Sequence, residues 1–349
     1  MKFTEYKPVI GVIMGDGAGI GSEIIAKSAA EGALTSQARP VIIGDYRQLK
    51  RGMEIAGANF PVEVKDTIEE AVKYAKEQEK VVIYDTKAFD GYQVPMGELS
   101  ALCGKDEAEN MARAAEYCKK GLIEGICFAP NNKSAMKMAG VHLNGMVDFL
   151  ADLFEYTGVK GEININGSAF NARVTGHIPA KDVSAALSVD KIMDTIHMSC
   201  DVLKRFGIKD PKVAVAALNP HGGENGTCGT EEIEIIGPAV EMAKKEGISI
   251  TGPLAADTLF GQLFGGKYDL AVTMSHDQGQ IAFKLINFSQ VVTVYGGIPY
   301  PVGTGAHGTA YDIVGRGEAE NGAYITAYGI VTQMCKVAMM KRSREEKEK

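Results

Sequence analysis

Seven short apolar runs punctuate this chain, and the stretches between them carry the apolar spacing of helices. The runs are Val9 to Met14, Pro40 to Ile43, Lys80 to Tyr84, Gly125 to Ala129, Asn171 to Thr175, Val213 to Leu218 and Leu270 to Met274. The helix-periodic stretches include Ser22 to Ala33, Glu107 to Lys120, Val189 to Phe206, Glu231 to Glu246 and Ala319 to Met340. Near-continuous apolar strands suit burial on both faces, and intervening helices supply the crossovers that parallel strands require. The alternation therefore predicts an α/β fold on a largely parallel sheet. Ser22 reads as the N-cap of the first helix, with Glu23 in its first turn.

A chain of 349 residues exceeds what a single core usually serves, so two domains are expected. The absence of a Pro/Gly/Ser linker leaves their boundary to be placed by the clustering of chemistry. A net charge of -7 with Lys and Arg scattered along the chain gives no basic field for nucleic acid. No apolar span of membrane-crossing length occurs, and MKFTEYK is not followed by a leader-like apolar region, so neither membrane insertion nor secretion is expected. The six cysteines form no Cys-x-x-Cys, which fits reduced thiols in a cytoplasm. The charged end, KRSREEKEK, is expected to fray into solvent.

Three histidines follow three of the apolar runs at similar offsets: His177 in NARVTGHIPA, His221 in VAVAALNPHGG and His276 in MSHDQGQIAFK. In an open parallel sheet the carboxyl ends of the strands face one crevice, so such residues can converge, and three neutral imidazoles could hold a divalent cation with positions open to substrate. Taken singly, each is more often a turn residue. Asn219 and Glu224 flank His221, Asp277 and Gln278 follow His276, and Asn131, Asn132 and Lys133 follow another run. Lys284 is the cation nearest the proposed metal in sequence and a candidate for proton transfer. His142 and His197 lack the strand-end setting, and His197 reads as structural or surface.

Two glycine-rich segments complete the inventory. GDGAGIGSEI, Gly15 to Ile24, joins the first strand to the first helix, but its spacing matches neither a dinucleotide fingerprint nor a P-loop. A tight turn and a ligand role stand open there, and Asp45 after VIIG could mimic a ribose-binding acid. In GTGAHGTAYDIVGRG, Gly303 to Gly317, glycines admit close backbone approach, and Thr309 and Asp312 supply groups suited to a ribose or adenine edge.

Together GDGAGIGSEI, FAPNNKSAM, TGHIP, LNPHGGENGTCGTEE, GPLAADTLF, MSHDQGQIAFK and HGTAYDIVGRG, spanning about residues 8 to 335, resemble the 4-hydroxythreonine-4-phosphate dehydrogenase family of pyridoxine biosynthesis. The resemblance implies the isocitrate/isopropylmalate dehydrogenase-like fold: two α/β/α domains with a cleft between them, in a homodimer. The domains would be residues 1–135 with 300–349, and residues 136–299, the latter carrying the metal ligands and the dimer interface. It implies His177, His221 and His276 as ligands of a divalent metal (zinc, magnesium, cobalt or manganese) shared between subunits. Lys284 would contact substrate, with Asp257 and Asp277 near the metal, and all three are candidate catalytic residues. His307, Gly308, Thr309, Ala310 and Asp312 would bind the cofactor, NAD rather than NADP. The implied reaction is hydride transfer from a hydroxy acid, then loss of carbon dioxide.

The departures from the family pattern fall on the substrate side. Where the family carries Gly-His-Thr-Glu, this chain has Gly145-Met146-Val147-Asp148; Thr293 stands for an Asn and Val302 for an Arg. GDPAGIGPE has become GDGAGIGSE. A phosphate dianion needs cations or several donors, which Val302 cannot supply. Met146, Val147, Thr293 and Val302 are thus expected to line a pocket for a less phosphate-dependent hydroxy acid, and a dihydrodiol carboxylate is compatible with the fold group. Two other classes stand against this: a phosphate acyltransferase, which binds no nicotinamide, and a non-catalytic metal- or ligand-binding paralogue.

Overall fold

The computed structural model describes residues 6–348. The chain divides into two compact units, residues 1–157 with 298–349, and residues 158–297. The first crossing lies after Thr157 rather than at the expected 135/136, because the helices that follow residue 132 pack on a long helix of the first unit.

The first unit contains β1 (Val9–Ile13), α1 (Gly21–Ala30), α2 (Ala33–Gln37), β2 (Arg39–Gly44), α3 (Tyr46–Ala56), β3 (Glu63–Lys65), α4 (Ile68–Gln78), β4 (Val82–Asp85), α5 (Ala101–Lys119), β5 (Gly125–Phe128), α6 (Lys133–Met138) and α7 (Met146–Leu153). The second contains β6 (Gly161–Asn166), β7 (Ala169–Arg173), α8 (Val183–Ala186), α9 (Val189–Phe206), β8 (Val213–Ala216), α10 (Gly237–Lys245), β9 (Ile250–Leu254), α11 (Ala256–Phe264), β10 (Leu270–Thr273), α12 (His276–Asn287) and β11 (Val292–Gly296). The chain then returns to the first unit with β12 (Val302–Gly305) and α13 (Gly322–Glu348).

In the first unit the strands run β3-β4-β2-β1-β5-β12, every pair parallel. The central strand VIGVI is buried along its whole length, as expected of a strand covered on both faces. Tyr324 and Tyr328 of α13 are among the largest fully buried side chains. Gly125 lets α13 approach β5, since a Cβ there would meet Cys335 Sγ at 2.8 Å and Val331 Cγ1 at 2.9 Å.

The second unit runs β11-β6-β7-β10-β8-β9. Here β6 is antiparallel to both β11 and β7, while β7, β10, β8 and β9 are mutually parallel neighbours. The sheet is therefore mixed rather than uniformly parallel, because β6 and β7 form a hairpin around Gly167, whose φ of 60° is left-handed.

Three local expectations change. Ile20, not Ser22, is the N-cap of α1, and Ser22 is buried one residue inside the helix. Glu231 to Glu246 is a π-turn over Glu232–Ile236 followed by α10. The charge run expected to fray is helical over residues 341–348 as the last turns of α13, and Lys349 lies outside the described residues. No helix among the described residues is long and apolar enough to cross a membrane.

Candidate functional site

Each unit gathers sequence motifs at the carboxyl edge of three adjacent parallel strands. In the second unit the strands are β7, β10 and β8, and the histidines follow them. Val174 N–H donates to Thr273 O at 2.8 Å, and the Thr175 hydroxyl donates to Met274 O at 2.7 Å. These bonds tie the two strand exits together, and the rings of His177 and His276 come to 5.1 Å between centroids.

His276 is the first residue of α12, fixed by a capping box of Ser275 and Gln278. The Gln278 amide also donates to Ala217 O at 2.8 Å, which ties the helix start to the exit of β8. Gly279 allows α12 to lie against β7, since a Cβ there would sit 1.9 Å from Asn171 Oδ1. His276 Nδ1 pairs with Asp277 Oδ1 at 2.8 Å, placing Asp277 beside the ring.

His221 lies in a run of left-handed backbone, φ 51° at His221, 44° at Glu224 and 54° at Asn225, with Gly222, Gly223 and Gly226 also positive. Non-glycine residues adopt this region at a steric cost and cluster where function maintains it. His221 Nδ1 pairs with Glu224 Oε1 at 2.9 Å. Glu224 by hydrogen bond and charge, and then Asp257 by charge, hold the imidazole above its ordinary pKa. Asp257, exposed in the first turn of α11, thus faces the same edge.

The donor chemistry suits a cation such as zinc: at His221 and His276 a carboxylate engages Nδ1, which leaves Nε2 for a metal. Among the described residues, however, no three His, Cys, Asp or Glu side chains are grouped closely enough to hold a metal ion. The pair His177 and His276 is assembled, and His221 stands on the neighbouring strand exit. His197 is a surface residue paired with Glu246 at 2.6 Å, and Lys284 lies exposed two helical turns beyond His276 on α12, its Nζ 5.7 Å from the Phe288 ring centroid.

In the first unit the strands are β1, β5 and β12, and their exits carry GDGAGIG, APNNK and GAHGTAYD. The glycines of the first loop serve chain packing. A Cβ on Gly15 would meet Pro130 O at 2.3 Å, one on Gly19 Thr309 O at 2.9 Å, and one on Gly21 Met14 O at 1.9 Å. That favours the tight turn between the two readings left open. Asp45 caps α3 and pairs with Arg47 at 2.6 Å, and it is 1% exposed, so no carboxylate oxygen is presented to a ribose.

Gly308 is different: nothing lies within 4 Å of a Cβ built there. Thr309 accepts Ile20 N–H at 3.2 Å through its carbonyl, Ala310 is left-handed at φ 47°, and Asp312 is exposed. His307 is held below its ordinary pKa by burial, and its Nδ1 contacts Gly308 O at 3.3 Å.

Beneath this loop lies a polar network that sequence reasoning missed. The Tyr311 hydroxyl donates to Asp16 and accepts from Asn132 Nδ2 at 2.8 Å, while Asn132 N–H donates to Glu107 at 3.1 Å. Burial raises the pKa of both Asp16 and Glu107, and their mutual proximity pushes Glu107 further. Arg51 anchors the same loop by donating to Gly17 O and, at 2.8 Å, to Pro95 O. The only available signal was the acid inside GDG and the Asn pair after FAP.

The expected substrate-side residues are mostly enclosed. Met146 is 4% exposed, with its sulfur 3.7 Å from Asn131 Nδ2. Thr293 is 8% exposed and its Oγ1 accepts from Asn164 at 3.0 Å. Val302 is a core residue of β12, registered with Ile126 of β5, because the strand buries it in the sheet. Val147 is half-buried.

This fold is that of known dehydrogenases: a Klebsiella pneumoniae 4-hydroxythreonine-4-phosphate dehydrogenase structure superposes with a TM-score of 0.83 at 33% identity, covering 95% of this chain and 98% of that one. Residues 36–331 match the family described as pyridoxal phosphate biosynthetic protein PdxA, and the chain belongs to that family. The 4-hydroxythreonine-4-phosphate dehydrogenase of Desulforapulum autotrophicum is 37% identical, over 93% of this chain and 94% of its own. A Clostridium botulinum protein to which D-threonate 4-phosphate dehydrogenase activity is ascribed is 31% identical, over 92% and 95%. With relatives named as dehydrogenases, the chain is placed among the oxidoreductases.

Proposed function

We propose that this protein is a divalent-metal-dependent, NAD-linked dehydrogenase of a small hydroxy acid, with decarboxylation of the keto acid product. The observation that carries the reading is the pairing of His177 with His276, with His221 on the adjoining strand exit, in a family whose relatives are named as dehydrogenases. His177, His221 and His276 would hold the cation, which when bound would supply Lewis-acid polarisation of the hydroxyl and carboxylate oxygens. Asp277 and Glu224 orient the imidazoles, and Asp257 sets the local field.

The HGTAYD loop takes the cofactor. Gly308 leaves room for close approach, and the exposed Asp312 carboxylate suits a ribose 2′-hydroxyl and repels a 2′-phosphate, which favours NAD. A nicotinamide held there would supply the hydride acceptor for the alcohol, and to Lys284 we assign the role of base that takes the hydroxyl proton. The resulting keto acid then releases carbon dioxide.

Lys284 shares its helix with Ile281, Leu285 and Ile286, which with Phe288 are 59%, 80%, 58% and 58% exposed. Such a patch is characteristic of an association surface, and a homodimer through α12 would bring Lys284 to a partner subunit's histidine edge. We place the activity in the cytoplasm.

The substrate is assigned to hydroxy acids less dependent on a phosphate on the sequence departure alone: Met146, Val147, Thr293 and Val302 carry no cation where the family pattern has polar or charged groups, and Met146, Thr293 and Val302 are enclosed rather than set on a pocket wall. The alternative, a phosphorylated acid, draws on the relative ascribed to D-threonate 4-phosphate. Steady-state assays with NAD and a divalent metal would compare 4-phosphohydroxy-L-threonine, D-threonate 4-phosphate and unphosphorylated hydroxy acids. Efficient turnover of a phosphorylated acid alone would overturn the assignment.

A further inference from the structure

The turn that carries His221 is moulded around one buried glutamate. Glu232 is 5% exposed, yet it belongs to a helical segment whose neighbours Glu231 and Ile233 face outward or part-way out. Its Oε1 accepts Leu218 N–H and Asn219 N–H, each at 2.8 Å, and its Oε2 accepts Asn219 Nδ2 at 2.9 Å. A buried carboxylate is tolerated where several donors converge on it. Here the donors are the backbone of the β8 exit itself.

The fit extends into the left-handed run. A Cβ on Gly223 would stand 2.6 Å from Glu232 Oε2, and one on Gly229 would stand 2.4 Å from Asn219 Nδ2. Asn219 also donates to Glu231 at 2.6 Å, so successive glutamates grip one amide. Glu232 opens the π-turn Glu232–Ile236. An inserted residue of this kind re-aims the side chains before it and recurs at functional sites.

We propose that Glu232 is a positioning residue for His221: it fixes the strand exit from which the left-handed turn springs, and so the direction in which the imidazole is offered to the cation. The inference rests on the reading of His221 as a metal ligand. It assigns Glu232 no contact with metal or substrate.

Cobalt(II) titration, followed by visible absorption, tests it on the full chain. Glu232→Ala should weaken cobalt binding by about 10–100-fold and alter the ligand-field bands. Glu232→Gln keeps an oxygen for the two backbone donors and should recover part of the loss. Asn219→Ala, which removes only the side-chain bridge, should fall between and covers the case in which Glu232→Ala fails to fold. Wild-type affinity and spectrum in Glu232→Ala, or in Asn219→Ala should the former not fold, would overturn the proposal. If the wild-type chain binds no cobalt, the metal reading fails by itself. Amide exchange then decides the positioning role: Glu232→Ala should lose protection at Leu218 and Asn219 and around His221, and unchanged protection there would refute it.

Discussion

The hydroxyl of Thr175 and the carbonyl of Met274, 99 residues apart in sequence, are joined at 2.7 Å, and the histidine that follows each ends with its ring 5.1 Å from the other. The contact is made by strand exits rather than by the rings. Thr175→Val should therefore cost about 0.5–1.5 kcal/mol in urea unfolding, and it should lower metal occupancy although Thr175 binds no metal. His177→Ala, His221→Ala and His276→Ala should each reduce metal content by elemental analysis. Unchanged content in all three would end the metal assignment.

Tyr311 bridges the HGTAYD loop, which we assign to the cofactor, to Asp16, so Tyr311→Phe removes a donor to a buried carboxyl and strands the Asn132 amide. A loss of about 1–3 kcal/mol is expected from thermal unfolding. A weaker NAD affinity by fluorescence titration should accompany it, since Ala310 and Asp312 flank the residue that is released.

Asp106 gives a pH signature. It is 3% exposed, and burial pushes its carboxyl up to about 7 from an ordinary 3.8, against a hydrogen bond from Asn110. The folded value lies above the unfolded one. Its contribution to stability is thus fully present below about 4 and is lost as pH rises through 7. Asp106→Asn cannot ionise, so its urea midpoint should gain on the wild type between pH 5 and pH 8. A constant difference across that range would contradict the assignment.

The apolar run on α12 predicts an oligomer that one charge can break. Leu285→Lys places an ammonium where the exposure is 80%, so a lone subunit should tolerate it. Sedimentation equilibrium should find a dimer for the wild type and a monomer for the variant, with activity falling in step.

Packing at the glycine loop sets a further test. Gly21→Ala would bring a Cβ to 1.9 Å from the Met14 carbonyl, which the backbone must move to relieve. A destabilisation of about 1–3 kcal/mol is expected, read as a lower melting temperature.

The seven apolar runs correspond to β1, β2, β4, β5, β7, β8 and β10, largely buried strands whose composition shows in the sequence. Five strands escaped detection: β6 and β11 are largely buried and were missed all the same, and the other three have physical reasons to be missed. β3 and β9 are sheet edges, the one charged as EVK and the other broken by Gly252 and Pro253. β12 is VGTG, nearly without side chains. At the site, the histidine positions were legible because strand ends share one edge. Glu232 and Tyr311 were not, since each acts through a long-range bond that no local spacing announces.

The second unit interrupts the first, and this has a consequence for synthesis. The Thr304 hydroxyl closes onto Phe128 O across 176 residues, so β5 must wait unpaired on one side while the whole of residues 158–297 is made. All six strands of the second unit are available before β12 leaves the ribosome. The flank of β5 is then an open edge during translation, of the kind that chaperones shield. The histidine edge can take shape early, whereas the loop assigned to the cofactor is among the last parts of the protein to exist.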